Sequence, residues 1–237
     1  MVDTTDSNVT FIYRFKFGDG KEKDFEINLD CKTLDLIREQ KKSYPPWTEL
    51  NCEKCPNCSL DETKIKYCPV AISLVDVIDS FCKMLSYEEV DMYIETAQRD
   101  YMKHIPLQKA VSSLMGIYMV TGGCPILNKL RPMVRYHLPF ATNAETTYRA
   151  IAMYLIAQYL LYKQGKCPDW DLKELCKIYE EINKVNASFC KRLMQINVED
   201  ATLNAIICLD CFAHSVQFTL DQHDLDDIAS LFKAYLE

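Results

Sequence analysis

Residues 10–29 read TFIYRFKFGDGKEKDFEINL, and their alternation decides the first half of the fold. Phe11, Tyr13, Phe15 and Phe17 occupy every second position and so share one face of an extended strand. Gly18-Asp19-Gly20 turns the chain, and Phe25, Ile27 and Leu29 continue the period in a second strand. A lone hairpin is marginal in water, so further strands or a covering helix are required. Val90, Met92 and Ile94 alternate in the same way, with Tyr101 and Lys103 beyond Ala97-Gln98. This predicts a second hairpin near 89–104 and a four-stranded antiparallel sheet; a helix over part of 87–103 is the competing reading.

Helical signals fill the remainder. Pro69 suits the first turn of a helix from Val70 to Leu85, with Cys68 at its cap. Pro106 opens a helix to about Val120, closed by Gly122-Gly123, and Pro125 opens another to Tyr136. Thr142-Asn143-Ala144-Glu145 is a capping box for an apolar helix ending before Gly165. Its run from Ala150 to Tyr162 is too short to span a bilayer and reads as a buried helix. Asp169 or Asp171 caps an amphipathic helix to Ile196, Asp200 starts one to Thr219, and Asp224 caps the last. The fold class is α+β: an N-terminal antiparallel β-hairpin module, residues 1–105, packed on a mostly α-helical body, residues 106–237, with one shared core.

Composition narrows the functional classes. The chain has 237 residues, 49% of them hydrophobic, with no internal repeat. The polar, acidic start Met1-Val2-Asp3-Thr4-Thr5-Asp6 has no apolar signal region. With twelve cysteines and no such signal, reduced thiols in the cytoplasm are expected rather than a disulfide scaffold. The net charge of -7 argues against nucleic acid, and nothing points to a membrane. Residues 198–237 alone carry eight acids against Lys233, whereas 101–144 carry Lys103, Lys109, Lys129, Arg131 and Arg135 and no acid. These faces are either solvated, paired with each other, or a means of binding a protein partner or a second copy.

Chemistry concentrates at Cys52-Glu53-Lys54-Cys55-Pro56-Asn57-Cys58 and Cys68-Pro69. Thiolates at such steps converge on one metal without help from distant segments, and Cys68 gains thiolate character at a helix N-terminus. The expected metal ligands are Cys52, Cys55, Cys58 and Cys68, and the expected metal is structural zinc. An iron–sulfur cluster is the alternative, and unmetallated thiols the third reading. Cys52 is the weakest of the four, replaceable by a remote ligand such as Cys31 or a histidine.

A second cluster of interest runs from Gly122-Gly123-Cys124-Pro125 to Arg135 and His137. Cys124 at a helix start in an acid-free stretch is where a thiol pKa falls, with Arg135 as anion clamp and His137 as proton carrier. The plainer reading makes these a turn, an ion pair and a backbone contact. Cys208, Cys211 and His214, and Cys82, Cys176 and Cys190, sit in helical patterns and read as core. Asp221-Gln222-His223-Asp224 lacks the spacing of a calcium loop. No nucleotide-binding or hydrolase motif is present.

Trp47-Thr48-Glu49-Leu50, Cys55-Pro56-Asn57-Cys58 and Cys68-Pro69 resemble a family of uncharacterised bacterial proteins. The likeness resumes at Gly123-Cys124-Pro125, Arg131-Pro132-Met133, His137-Leu138-Pro139-Phe140 and Glu145, and covers about residues 10–165. It implies a bacterial, cytosolic origin and a three-cysteine core of Cys55, Cys58 and Cys68, with no established activity. Three functions follow: a zinc-pinned interaction module, which is favoured; a thiol or iron–sulfur redox accessory protein; and an enzyme with a Cys124/Arg135/His137 pocket.

Overall fold

The computed structural model of the protein describes residues 8–196, 198–222 and 225–237. The first hairpin forms as its alternation requires: β1 (Asn8–Phe17) pairs antiparallel with β2 (Glu22–Asp30), placing Phe11 opposite Ile27 and Phe15 opposite Lys23. The second hairpin, β4 (Glu89–Thr96) and β5 (Asp100–Pro106), also forms, so the helical alternative for 87–103 falls. β4 joins β1 with Tyr13 opposite Ile94 and Phe15 opposite Met92, all four buried. A short β3 (Leu36–Ile37) adds to β2, giving five strands in the order β3-β2-β1-β4-β5 where four were expected. Two residues are too few to show a period, which is why β3 leaves no mark in the sequence.

Eight helices follow or interrupt the sheet among the described residues: α1 (Pro69–Phe81), α2 (Leu107–Thr121), α3 (Arg131–Arg135), α4 (Asn143–Lys163), α5 (Lys173–Leu193), α6 (Asp200–Asp221), α7 (Asp226–Ser230) and α8 (Lys233–Leu236). The capping box is made in full: Thr142 Oγ1 accepts from the Glu145 amide, and the Glu145 carboxylate accepts from the Thr142 amide. Asp169 accepts the Glu174 amide at the start of α5, whereas the N-cap itself is Leu172 in a left-handed conformation. Asp200 does not cap α6; its carboxylate accepts from the amide and hydroxyl of Ser86 and so ties α6 to the loop before β4. Asp224 and His223 lie outside the described residues.

Two helical expectations need correction. The segment from Pro125 to Tyr136 is not one helix but a 3-10 turn, Leu127–Leu130, followed by α3, because Pro132 restarts the helix at its own first turn. The apolar run of α4 is not buried all round: Ile156, Tyr159, Leu160 and Tyr162 are exposed, while Ala150, Ile151 and Tyr154 face the core. α6 is long and apolar enough, by length and composition, to cross a membrane; here it packs on α2, α4 and α5.

One apolar core runs from the inner face of the sheet (Tyr13, Phe15, Met92, Ile94) through α1 and α2 to α5 and α6. Aromatic contacts key the sheet to α1, with Phe81 4.9 Å from Phe15 and 5.5 Å from Phe25. α2 ends where it does because the chain must pass close to the start of α1. A Cβ on Gly122 would stand 2.7 Å from both Ser73 Oγ and the Tyr118 carbonyl, and 3.3 Å from the Pro69 carbonyl. Gly123 has φ +105, open to glycine alone at low cost. These two glycines bring Cys124 against the α1 N-terminus that carries Cys68. Gly122→Ala is therefore expected to lower stability by about 1–3 kcal/mol through overpacking, measured by urea denaturation; an unchanged midpoint would contradict the close approach.

Candidate functional site

The segment between β3 and α1 is an ordered loop fastened by its own backbone. A 3-10 turn, Pro46–Thr48, is followed by an antiparallel bridge between Glu49 and Tyr67. The Leu50 amide donates to the Lys66 carbonyl and the Cys68 amide to the Thr48 carbonyl, each at 2.8 Å. The Cys58 amide donates to the Cys55 carbonyl, so Cys55-Pro56-Asn57-Cys58 is a tight turn. α5 holds this loop in place. Asn57 Nδ2 donates to the carbonyl and carboxylate of Glu181, and the Arg192 guanidinium donates to the carbonyls of Trp47 and Glu49, both at 2.7 Å. Arg192 is only 2% exposed, and among the described residues no carboxylate pairs with it.

The folded loop places Cys55, Cys58 and Cys68 on the wall of a cavity of about 20 Å³, and Cys124 completes the ring from the far side of the Gly122-Gly123 turn. The rest of the wall is mostly apolar, with Val70, Ile126, Val185 and Phe189. Cys52 and Cys31 do not line it. Burial pushes the Cys55 thiol up to about 11, with the neighbouring Cys68, Cys124 and Cys58 adding to the rise. Cys124 is raised as well: burial outweighs the Leu127 and Ile126 amides that point at its sulfur. The activated nucleophile expected at this helix start is thus not what the surroundings favour. All twelve cysteines are unpaired thiols. Among the described residues, no group of three or more His, Cys, Asp or Glu side chains is placed to hold a metal ion as it stands.

Cys124, Arg135 and His137 line no common cavity. Cys124 belongs to the thiol cavity, His137 lines a different and much larger one, and Arg135 lines neither. The larger cavity, of about 580 Å³, lies between α2, the 127–143 segment, α4, α5 and α6. At its wall Tyr13 Oη and His137 Nε2 are 2.6 Å apart, and Tyr13 also meets Ser113 Oγ at 3.2 Å. Burial drives the His137 pKa down to about 3, assisted by the charge of Arg149, and holds the Tyr13 hydroxyl protonated. This is a neutral hydrogen-bonded chain of three side chains, Ser113, Tyr13 and His137. Cys208 and Cys211 line the same cavity rather than the core, while His214 bonds Asn183 and pairs with Asp210.

Two outcomes test this geometry. Arg192→Met leaves two carbonyls without a donor and is expected to cost about 2–4 kcal/mol, against no more than about 0.5 kcal/mol for the exposed neighbour Lys191→Met; denaturant titration compares them. His137 binds its proton at the ordinary 6.5 when unfolded but only at about 3 when folded. Between those values the unfolded state holds more protons, so stability from this group is full above pH 6.5 and lost as pH falls toward 3. His137→Asn should therefore show a shallower loss of stability over that range than the parent, followed by urea midpoints at successive pH values.

A family model for a domain of unknown function, DUF6901, matches residues 11–233, which takes in the acidic C-terminal helices as well as the cysteine loop. No curated protein and no solved structure matches the chain. With nearly its whole length aligned, the chain belongs to the DUF6901 family.

Proposed function

We propose that Cys55, Cys58, Cys68 and Cys124 together hold an iron–sulfur cluster, and that the protein is a redox accessory protein of the bacterial cytosol. Four thiolates suit a single zinc ion or a cluster equally well as a donor set; the room between them favours the cluster. A zinc ion sits about 2.3 Å from each sulfur, nearer than a water-sized sphere can approach, which is about 3 Å. Cys55, Cys58, Cys68 and Cys124 all line one small cavity that has room for such a sphere. The convergence of four thiols on one cavity is the observation that carries the reading.

Three further features support it. Cys55, Cys68 and Cys124 are each followed by proline, as the last cysteine of the bacterial ferredoxin run is. The wall is apolar, which shields a cluster from water and leaves its potential to the surrounding hydrogen bonds. The loop is already fastened by Arg192 and Asn57, so a zinc staple has little left to fasten.

Chain purified without air is expected to be brown, with broad absorbance near about 400 nm and iron and sulfide in equal amounts. Cys124→Ser should lose that colour, and Cys52→Ser should keep it. A colourless protein carrying one zinc per chain would overturn the cluster in favour of a pinned zinc, and retention of colour in Cys124→Ser would remove the fourth ligand.

A further inference from the structure

The larger cavity carries an unusual charge pattern for so acidic a chain. Its wall is mainly apolar, with Ile105, Ile117, Val134, Leu209 and Phe212 among its members. The charged residues that line it are Lys103, Lys109 and Arg149, and none is an acid. Among the described residues, no carboxylate lies within ion-pair distance of any of the three. Lys103 Nζ rests 5.9 Å from the centre of the Phe140 ring, and Arg149 donates to the carbonyls of Met133 and Tyr136. The nearest acid that feels both Lys103 and Arg149 is Glu145, whose carboxylate is held low chiefly by its capping bonds to Thr142 and then by these two cations. One acid facing two cations leaves a net positive mouth.

Inside, polar groups wait without protein partners. Asn186 is 3% exposed, lines the cavity, and its side-chain amide makes no hydrogen bond among the described residues. Its amide atoms are open to the cavity, where a ligand or water can supply the bond. The volume falls within the range of small-molecule sites, whose walls are apolar with a few placed polar groups. A neutral His137 beside Tyr13 adds a hydrogen-bonding group and no charge.

We propose that this cavity binds an apolar small molecule bearing one carboxylate, the carboxylate set against Lys103 and Arg149 and the apolar body enclosed between α2 and α6. An anion is selected because it supplies the counter-charge that no carboxylate lining the cavity gives to Lys103 and Arg149. A dianionic or purely polar ligand would have to strip its hydration against an apolar wall. The reading is independent of the thiol centre: the sole chain elements shared are the turn after Cys124 and α5, whose Ile182 and Asn186 face this cavity while Val185 and Phe189 face the thiols.

The test uses the full chain with 11-(dansylamino)undecanoate and its methyl ester as fluorescent probes. The acid is expected to bind saturably at one per chain, and the ester about tenfold more weakly or less, as loss of a charge-assisted contact demands. Lys103→Glu, at an exposed position on β5, should weaken the acid by a similar factor with an unchanged melting temperature and little effect on the ester. Ile207→Trp, projecting from α6 into the cavity from a half-exposed site, should abolish both. Equal binding of acid and ester would overturn the anion; indifference to Ile207→Trp would place the probe elsewhere; absence of saturable binding would remove the site. None of these outcomes depends on iron or zinc content.

Discussion

A guanidinium taken out of water must be hydrogen-bonded, and Arg192 finds its acceptors in the Trp47 and Glu49 carbonyls. That constraint reaches further than its two bonds. It fixes α5 against the 3-10 turn that begins the cysteine loop, while Asn57 fixes the far end of the same loop to Glu181 one long face away. Cys55 lies between those anchors and Cys58 directly follows the second, and the bridge from Glu49 to Tyr67 leads the chain directly to Cys68 at the head of α1. The glycines at 122 and 123 then allow the end of α2 to close on Pro69, delivering Cys124. One tight turn positions Cys55 and Cys58, the bridge to Tyr67 positions Cys68 and the glycine pair positions Cys124, and all four line one cavity.

The helical body accommodates two cavities of opposite character back to back. One is small, ringed by sulfur and otherwise apolar; the other is some hundreds of cubic ångströms, with cations at its mouth. α5 contributes to both walls, with Val185 and Phe189 on the small cavity and Ile182 and Asn186 on the large one. The sheet takes part on the second side, since Tyr13 from its central strand supplies the hydroxyl that holds His137. The β module is thus a wall of the larger site as well as a platform for α1.

Much of this architecture is legible in the sequence where the signal is local. The period of two in Phe11, Tyr13, Phe15 and in Val90, Met92, Ile94 gives both hairpins, because each strand has one buried face. The Thr142–Glu145 box and the Pro69 start are equally local, being made within one turn of helix. What escapes is long-range. Cys124 shows a cysteine–proline pair like those at 55 and 68, but nothing in its spacing says that Gly122 lets it reach them. Arg192 reads as a charge in the last turn of an amphipathic helix, and only the packed loop makes it an internal clamp. The exposed side of α4 fails for the converse reason: Ile156, Tyr159 and Leu160 are apolar, and composition does not record what covers a face.

The proposed centre is an iron–sulfur cluster held by Cys55, Cys58, Cys68 and Cys124. X-ray absorption at the iron and zinc edges of chain purified without air tests it most directly. An iron edge with a shell of four sulfurs and a second, metal–metal shell is the predicted result, lost in Cys124→Ser. A zinc edge with sulfur neighbours and no metal–metal shell, or an iron edge with only oxygen and nitrogen neighbours, would contradict it.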